Sequence, residues 1–253
     1  MNLRSLFSLA IPLTLGVACL DLSKDDEDDE DGGSNDSDGD GLSDGDEADL
    51  GTDPDDEDSD GDGLSDGDEV DAGTSPTNPY SMTYEYGGYN VGNCDAPPEG
   101  TGPTGPNNDY YDTFQEGDIA DNFTLVDQYG QDVHLYSFCG QQIMIAFGAS
   151  WCGPCQQLAA EVQDLQDEYG PNGFQAIEIL IENQSSQPPD QDDLLDWEAD
   201  GNMTTIPVLA DGAYEVWPYY ELDWGIPSVV HIGPDMTVLS VDEYEYDPGV
   251  FME

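Results

Sequence analysis

Cys152 and Cys155 stand two residues apart in IAFGASWCGPCQQL, residues 145–158. Cysteines at this spacing can clamp a metal, staple a fold or shuttle electrons. Structural zinc needs a second ligand pair, and the chain holds no other CxxC and no CxxH. A staple around two intervening residues removes little chain entropy. Redox exchange fits the surroundings better. QIMIAFGAS ahead of the pair reads as a buried strand, and Leu158, Val162 and Leu165 after it recur at helical spacing. Cys152 then sits at a strand-to-helix junction, where backbone N–H groups and the helix dipole lower a thiol pKa. Cys155, one turn on, is placed to resolve a mixed disulfide.

A second chemistry lies upstream. DSDGDGLSDGDE occurs at 36–47 and again at 58–69. Laid on a calcium loop, Asp36, Asp38, Asp40 and Asp44 take positions 1, 3, 5 and 9, and Glu47 takes position 12. Gly41 falls at position 6, where the turn is sharp, and Leu42 offers its carbonyl. The second copy supplies Asp58, Asp60, Asp62, Leu64, Asp66 and Glu69 in the same way. Amphipathic helices on both sides of each loop, as an EF-hand needs, are absent from the pattern. Hard oxygen ligands at this spacing suit Ca2+, and so many carboxylates packed together call for a cation. The alternative is a solvated acidic tether that holds cations only loosely.

The elements that position these residues come in three zones. Residues 21–79 are almost wholly acidic, Gly and Ser, and cannot build an apolar core unaided. Residues 80–111 are rich in Gly, Pro, Tyr and Asn and read as a linker. From about Asp112 the apolar runs FTLV, VHLY, QIMIAFG, FQAIEILI, TIPVL and PSVVHI alternate with helix-like CQQLAAEVQDLQDEY, QDDLLDWEA and AYEVWPYY. Strands alternating with helices predict an α/β sheet.

Composition limits the partners. The chain carries 58 Asp plus Glu against 2 Lys plus Arg, a net charge of −56. Such a surface repels nucleic acid and anionic lipid, so neither is a partner, and it suits a saline or calcium-bearing medium. MNLRSLFSLAIPLTLGVAC has one basic residue, an apolar run too short for a permanent span, and small residues before Cys19. Export is expected, with residues 1–18 as a signal segment and an acidic tether at 19–35.

At WCGPC the chain resembles the thioredoxin superfamily, and GIPSVVHIGPDMTVL at 225–239 is similar to that family's cis-proline strand and hairpin. The resemblance covers about residues 113–250, and the segment between helix and cis-proline fits the TlpA-like and redoxin branches. It implies a thioredoxin-like domain at 112–253, with Cys152 and Cys155 exchanging disulfides. Trp151, Gly153, Pro154, Ile226 and Pro227 would meet the substrate, and no organic cofactor is needed. Two departures stand out. The family's buried aspartate before the motif is Ala146 here, and the glutamate frequent three residues after the second cysteine is Leu158. Glu178, amid FQAIEILIE, can point inward and replace them, although it is read here as a solvated or edge carboxylate. The acidic repeats at 36–79, each trailed by GTDP or GTSP, resemble thrombospondin type 3 calcium repeats. They imply a calcium-stiffened stalk without regular secondary structure. The N-terminus resembles a bacterial lipoprotein signal, which implies lipidation of Cys19, an envelope location, and membrane contact only through that anchor.

The expected activity is thiol-disulfide exchange with extracytoplasmic protein thiols, supplied by an electron donor the sequence does not name. Gly-Pro between the cysteines and the lack of nearby cations point to the reducing direction. One rival is a peroxiredoxin-like peroxidase, but its threonine position is Ala149 and no arginine follows Arg4. The other is a non-enzymatic calcium-dependent surface module on a thioredoxin scaffold. In an exported protein Cys94 and Cys139 are expected to pair, the alternative being one buried and one exposed thiol. His134 and His231 lack clustered partners and are read as structural. The aromatic stretch YEVWPYYELDW at 214–224 reads as core and loop packing. A monomer is expected.

Overall fold

The computed structural model describes residues 35–92, 94, 96–105, 112–220, 225–242 and 248–252. The expected signal segment, Cys19 and the expected tether up to residue 34 lie outside the described residues. No helix among the described residues is long and apolar enough to cross a membrane.

Each acidic repeat closes on a helix, α1 (Asp44–Leu50) and α2 (Asp66–Ala72). This corrects the expectation of a stalk without regular secondary structure. Ser43 and Ser65 cap the helices by accepting the N–H of Asp46 and Asp68. Carboxylates crowd both first turns, where the dipole favours them, and Gly51 and Gly73 end the helices in the left-handed conformation. Seven residues alone make a marginal helix, so packing must supply the rest. Asp40 Oδ2 accepts the N–H of Gly67 at 2.7 Å, which joins the first loop to the start of α2. A Cβ on Gly67 would lie 2.4 Å from the Asp40 carbonyl oxygen, so this approach needs glycine.

β1 (Thr124–Val126) and β2 (Asp132–His134) form an antiparallel ribbon. The main sheet comprises β3 (Gln142–Ala149), β4 (Phe174–Glu182), β5 (Val208–Ala210), β6 (Ser228–Ile232) and β7 (Val238–Asp242). Its order is β5-β4-β3-β6-β7, parallel from β5 to β3 and antiparallel across β6 and β7. Parallel neighbours need crossovers, and α3 (Gly153–Tyr169) and α4 (Gln191–Gly201) supply them. Every residue of β3 and all but the last of β4 are buried, so their apolar runs are continuous rather than alternating. α3 presents Cys155, Leu158, Ala159, Val162, Gln163 and Gln166 inward at helical spacing. Its buried glutamines are satisfied, since Gln163 accepts the Thr204 N–H and Gln166 accepts the Ala176 N–H.

Two elements are shorter than their apolar patterns suggest. VHLY divides at His134, and Leu135–Phe138 forms a 3-10 turn. In AYEVWPYY only α5 (Trp217–Tyr220) is helical. The buried Asp211 carboxylate accepts the N–H groups of Glu215, Val216 and Trp217 and holds the preceding residues as a loop.

Residues 80–92 and Cys94 are laid on the domain. Tyr84 hydroxyl meets Ser137 Oγ at 2.8 Å, and Tyr89 hydroxyl donates to the buried Asp127 at 2.8 Å. Asn90 Nδ2 donates to the carbonyls of Gly170 and Phe174. Tyr80 packs its ring against His134 and Tyr136. Cys94 is disulfide-bonded to Cys139, and Asn78 Nδ2 lies 3.7 Å from the Cys94 sulfur. The second repeat therefore runs into this strap with no free segment between.

Candidate active site

Cys152 is the N-cap of α3, with Pro154 in the first turn, where its fixed φ and missing N–H cost nothing. The Cys152 sulfur accepts the Cys155 N–H at 3.2 Å. That bond, together with the helix dipole, stabilises a thiolate at this sulfur. Cys152 and Cys155 form a disulfide, and both are nearly buried, at 4% and 3% exposure. Trp151, Gly153 and Pro154 are exposed around them.

The Ile226–Pro227 peptide is cis, and the Ile226 carbonyl oxygen lies 3.7 Å from the Cys152 sulfur. The fold thus brings the residues of WCGPC and GIPS together, because the end of β3 pairs with the start of β6, Phe147 opposite Ser228.

Sequence reasoning missed Glu182, at the end of β4. Its two oxygens accept from Trp151 Nε1 at 2.7 Å and Tyr214 hydroxyl at 2.8 Å. Hydrogen bonds from Tyr214 and Trp151 hold this carboxyl below its ordinary range. The three form one rim beside the disulfide. A polar residue ending a strand carries no sequence signal for such a role.

Glu178 corrects an expectation. It is not a solvated or edge carboxylate but lies inside β4, 2% exposed, accepting from Trp197 Nε1 at 3.3 Å. Its other oxygen has no hydrogen-bond partner. Burial pushes the carboxyl up to about 8, against a smaller pull from the Trp197 hydrogen bond.

In the repeats the carboxylates of Asp36, Asp38 and Asp40 converge within 4.8 Å, as do those of Asp58, Asp60 and Asp62. Gly41 and Gly63, at the sharp turn, have φ of 106° and 103°. Glu47 and Glu69 are fully buried with neither carboxylate oxygen hydrogen-bonded, and one oxygen each of Asp38 and Asp60 shares that condition. Burial, then the charges of Asp60 and Asp62, pushes Glu69 up to about 8. Buried, unpartnered carboxylates beside converging aspartates are the donor set a hard cation needs, so the residues fit calcium. Asp44 and Asp66 are engaged differently, accepting from the backbone N–H and hydroxyl of Ser37 and Ser59. Leu42 and Leu64 donate their N–H to Asp40 and Asp62.

His134 and His231 are not brought together. His134 Nδ1 meets Thr124 Oγ1 at 2.7 Å, and burial lowers its pKa. His231 is buried with its ring 4.5 Å from Phe251. A cleft of about 310 Å³ between Phe114, Phe123, Val216 and Tyr220 includes neither redox cysteine nor Pro227. The convergence of motifs, rather than that cleft, marks the site.

Comparison with known proteins agrees with this geometry. Residues 117–241 match the AhpC/TSA family, and residues 36–56 and 58–79 match the bacterial TSP3 repeat. The chain is similar to the thioredoxin-like protein YneN of Bacillus subtilis, at 29% identity over 47% of this chain and 73% of that one. It is similar to the thiol-disulfide oxidoreductase ResA of Oceanobacillus iheyensis, at 28% identity over 48% of this chain. That match spans 62% of the ResA chain, less than two thirds of its length. The thioredoxin domain of a thiol-disulfide oxidoreductase from Bacteroides vulgatus superposes over 56% of this chain and all of its own, with a TM-score of 0.47 at 17% identity. Residues 117–241 are thus similar to the AhpC/TSA family, behind two stretches that match the bacterial TSP3 repeat.

Proposed function

We propose that this chain is an exported thiol-disulfide oxidoreductase that reduces or exchanges disulfides in extracytoplasmic proteins. One observation carries the reading: the Cys152 sulfur sits on the N–H of Cys155 at a helix start, facing the Ile226 carbonyl next to a cis-proline. In the reduced protein the Cys152 thiolate attacks a substrate disulfide. The substrate S–S bond breaks, one substrate sulfur leaves as thiolate, and Cys152 is joined to the other. Cys155 then loses its proton and attacks the Cys152 sulfur. The second substrate thiolate departs, and the Cys152–Cys155 disulfide remains. Two electrons pass to the substrate, and a dithiol donor must restore them.

An extended substrate chain would lie along the Ile226–Pro227 backbone, with Trp151, Gly153 and Pro154 on its other side. The acidic surface favours neutral or basic substrates. A peroxidase is the weaker reading. Ala149 offers no hydroxyl beside the motif, and no arginine follows Arg4 to hold a peroxidatic thiolate. A purely structural role for the fold leaves the redox geometry without a purpose.

The domain plan follows the sequence: signal segment 1–18, tether 19–35, calcium repeats 36–79, strap 80–111 and redox domain 112–253. Asp36, Asp38, Asp40 and Glu47 would hold one Ca2+, and Asp58, Asp60, Asp62 and Glu69 another; Asp44, Asp66 and the Leu42 and Leu64 carbonyls would complete each shell. Calcium supplies counter-charge and stiffness there and takes no part in the redox step. Lipidated Cys19 tethers a monomer to the cell envelope.

Insulin reduction by the full chain tests the activity, and Cys152→Ser should abolish it. An active Cys152→Ser protein, or an inactive wild type with an intact fold, would overturn the reading.

A further inference from the structure

We propose that Glu178 is the proton acceptor for Cys155 when the mixed disulfide is resolved. The inference rests on the redox reading of Cys152 and Cys155 and adds to it the group that carries the proton.

The geometry comes from the sheet. Ala146 and Gly148 are two apart on β3 and share one face. A Cβ on Gly148 would lie 3.2 Å from Cys155 Cβ, 3.6 Å from Cys155 Sγ and 3.8 Å from Trp197 Cζ2. Cys155 and the Trp197 ring therefore cover that face. Ala146 is the register partner of Glu178 on β4, and partners in a sheet project to the same side. Glu178 therefore emerges on the face that Cys155 covers, and its hydrogen bond to Trp197 puts it on that same side. Between its carboxyl and the sulfur, β3 contributes only a methyl group and a glycine. The space is left to the longer side chain from the neighbouring strand.

A carboxyl this deep is costly without a partner, and Oε1 has none. Its neighbours along β4 at 176, 177 and 179–181 are all apolar, so packing alone does not call for an acid here. Ala146 from β3, Val208 from β5 and Trp197 from α4 face it without charge, and Cys155 from α3 covers the same face of the sheet at Gly148. Burial brings the carboxyl up to about 8, near the ordinary thiol value of about 8.5. Proton transfer between groups so matched needs little driving force.

The step balances. The Cys155 thiol gives its proton to the Glu178 carboxylate, directly or across one water, and its sulfur attacks Cys152. The Cys152–substrate bond breaks, its electron pair leaves on the substrate sulfur, and a solvent proton completes that thiol. Glu178 returns its proton to Cys155 when a donor dithiol later reduces the pair.

The test is quench-flow on the full, calcium-loaded chain, reduced and mixed with a disulfide-bonded peptide, with the mixed disulfide quantified by mass. Glu178→Gln is expected to leave formation of the Cys152 mixed disulfide unchanged. Its decay should slow about tenfold or more at neutral pH, and the gap should close at alkaline pH, where Cys155 ionises unaided. Glu178→Asp, which keeps the carboxyl, should restore part of the rate with a displaced pH profile, and it serves alone if the Gln variant does not fold. Unchanged decay in both variants overturns the assignment, and so does equal slowing of formation and decay. A wild type that forms no mixed disulfide overturns the redox reading instead.

Discussion

Replacing Glu178 by Gln should change how stability depends on pH, with or without any effect on turnover. The carboxyl rises from an ordinary 4.5 to about 8 on folding, because burial disfavours its charged form. Below pH 4.5 both folded and unfolded chains hold this proton, and the residue adds no penalty. As pH rises the unfolded chain releases the proton while the folded chain keeps it, so stability falls by about 1.4 kcal/mol per unit. The fall stops near 8, where the folded carboxyl ionises too. At neutral pH the accumulated loss is about 3 kcal/mol. Gln keeps the shape and can accept from Trp197, and any cost of its unpaired amide is the same at every pH. Urea melts of oxidised wild type and Glu178→Gln, with saturating calcium from about pH 5 to about pH 8, isolate the difference, since every other titration is shared. The variant should gain on the wild type by about 3 kcal/mol or more across that window. A difference that stays flat with pH would refute the burial argument and weaken the proton-acceptor proposal.

Cys155→Ser should trap a covalent complex between Cys152 and substrate that reductant releases on a non-reducing gel; no trapped complex would contradict the assigned order of attack. Replacing Cys94 and Cys139 by Ala should cost about 4 kcal/mol by the loop-entropy relation for a separation of 45 residues, read from urea melts. Glu47→Gln and Glu69→Gln should each remove one saturable calcium site by calorimetry, the wild-type sites falling in the millimolar to micromolar range. Removing calcium with a chelator should lower Tm, because buried Glu47 and Glu69 then lack a counter-charge, and an unchanged Tm would leave the repeats as bare tethers. Glu182→Ala should free Trp151, giving a red-shifted, more mobile fluorescence and a higher KM with kcat little changed.

Much of this protein is legible in one dimension because the relevant interactions are local. WCGPC fixes a strand-to-helix junction through a cap, a first-turn proline and a 3-residue sulfur spacing, and all of these act within one helical turn. The acidic repeats are local too, since each candidate ligand set lies within twelve residues and glycine marks the turn. The buried runs of β3 and β4 announce themselves by consecutive apolar residues at 143–147 and 179–181.

Tertiary structure decided the rest. FQAIEILIE does not say whether its first glutamate faces water, and only the placement of β4 between β3 and β5, under Trp197, buries Glu178. Helices α1 and α2 have no amphipathic signature, because they are held by serine caps and by the contact of Asp40 with Gly67 across 27 residues. Residues 80–92 read as linker because they bind the domain through tyrosine hydroxyls and the Asn90 amide, contacts that leave no period in the sequence. Glu182 becomes part of the active-site rim only because the fold carries Trp151 and Tyr214 to it, from 31 residues before and 32 residues after. Long-range hydrogen bonds set no local pattern, so they are invisible until the chain is folded.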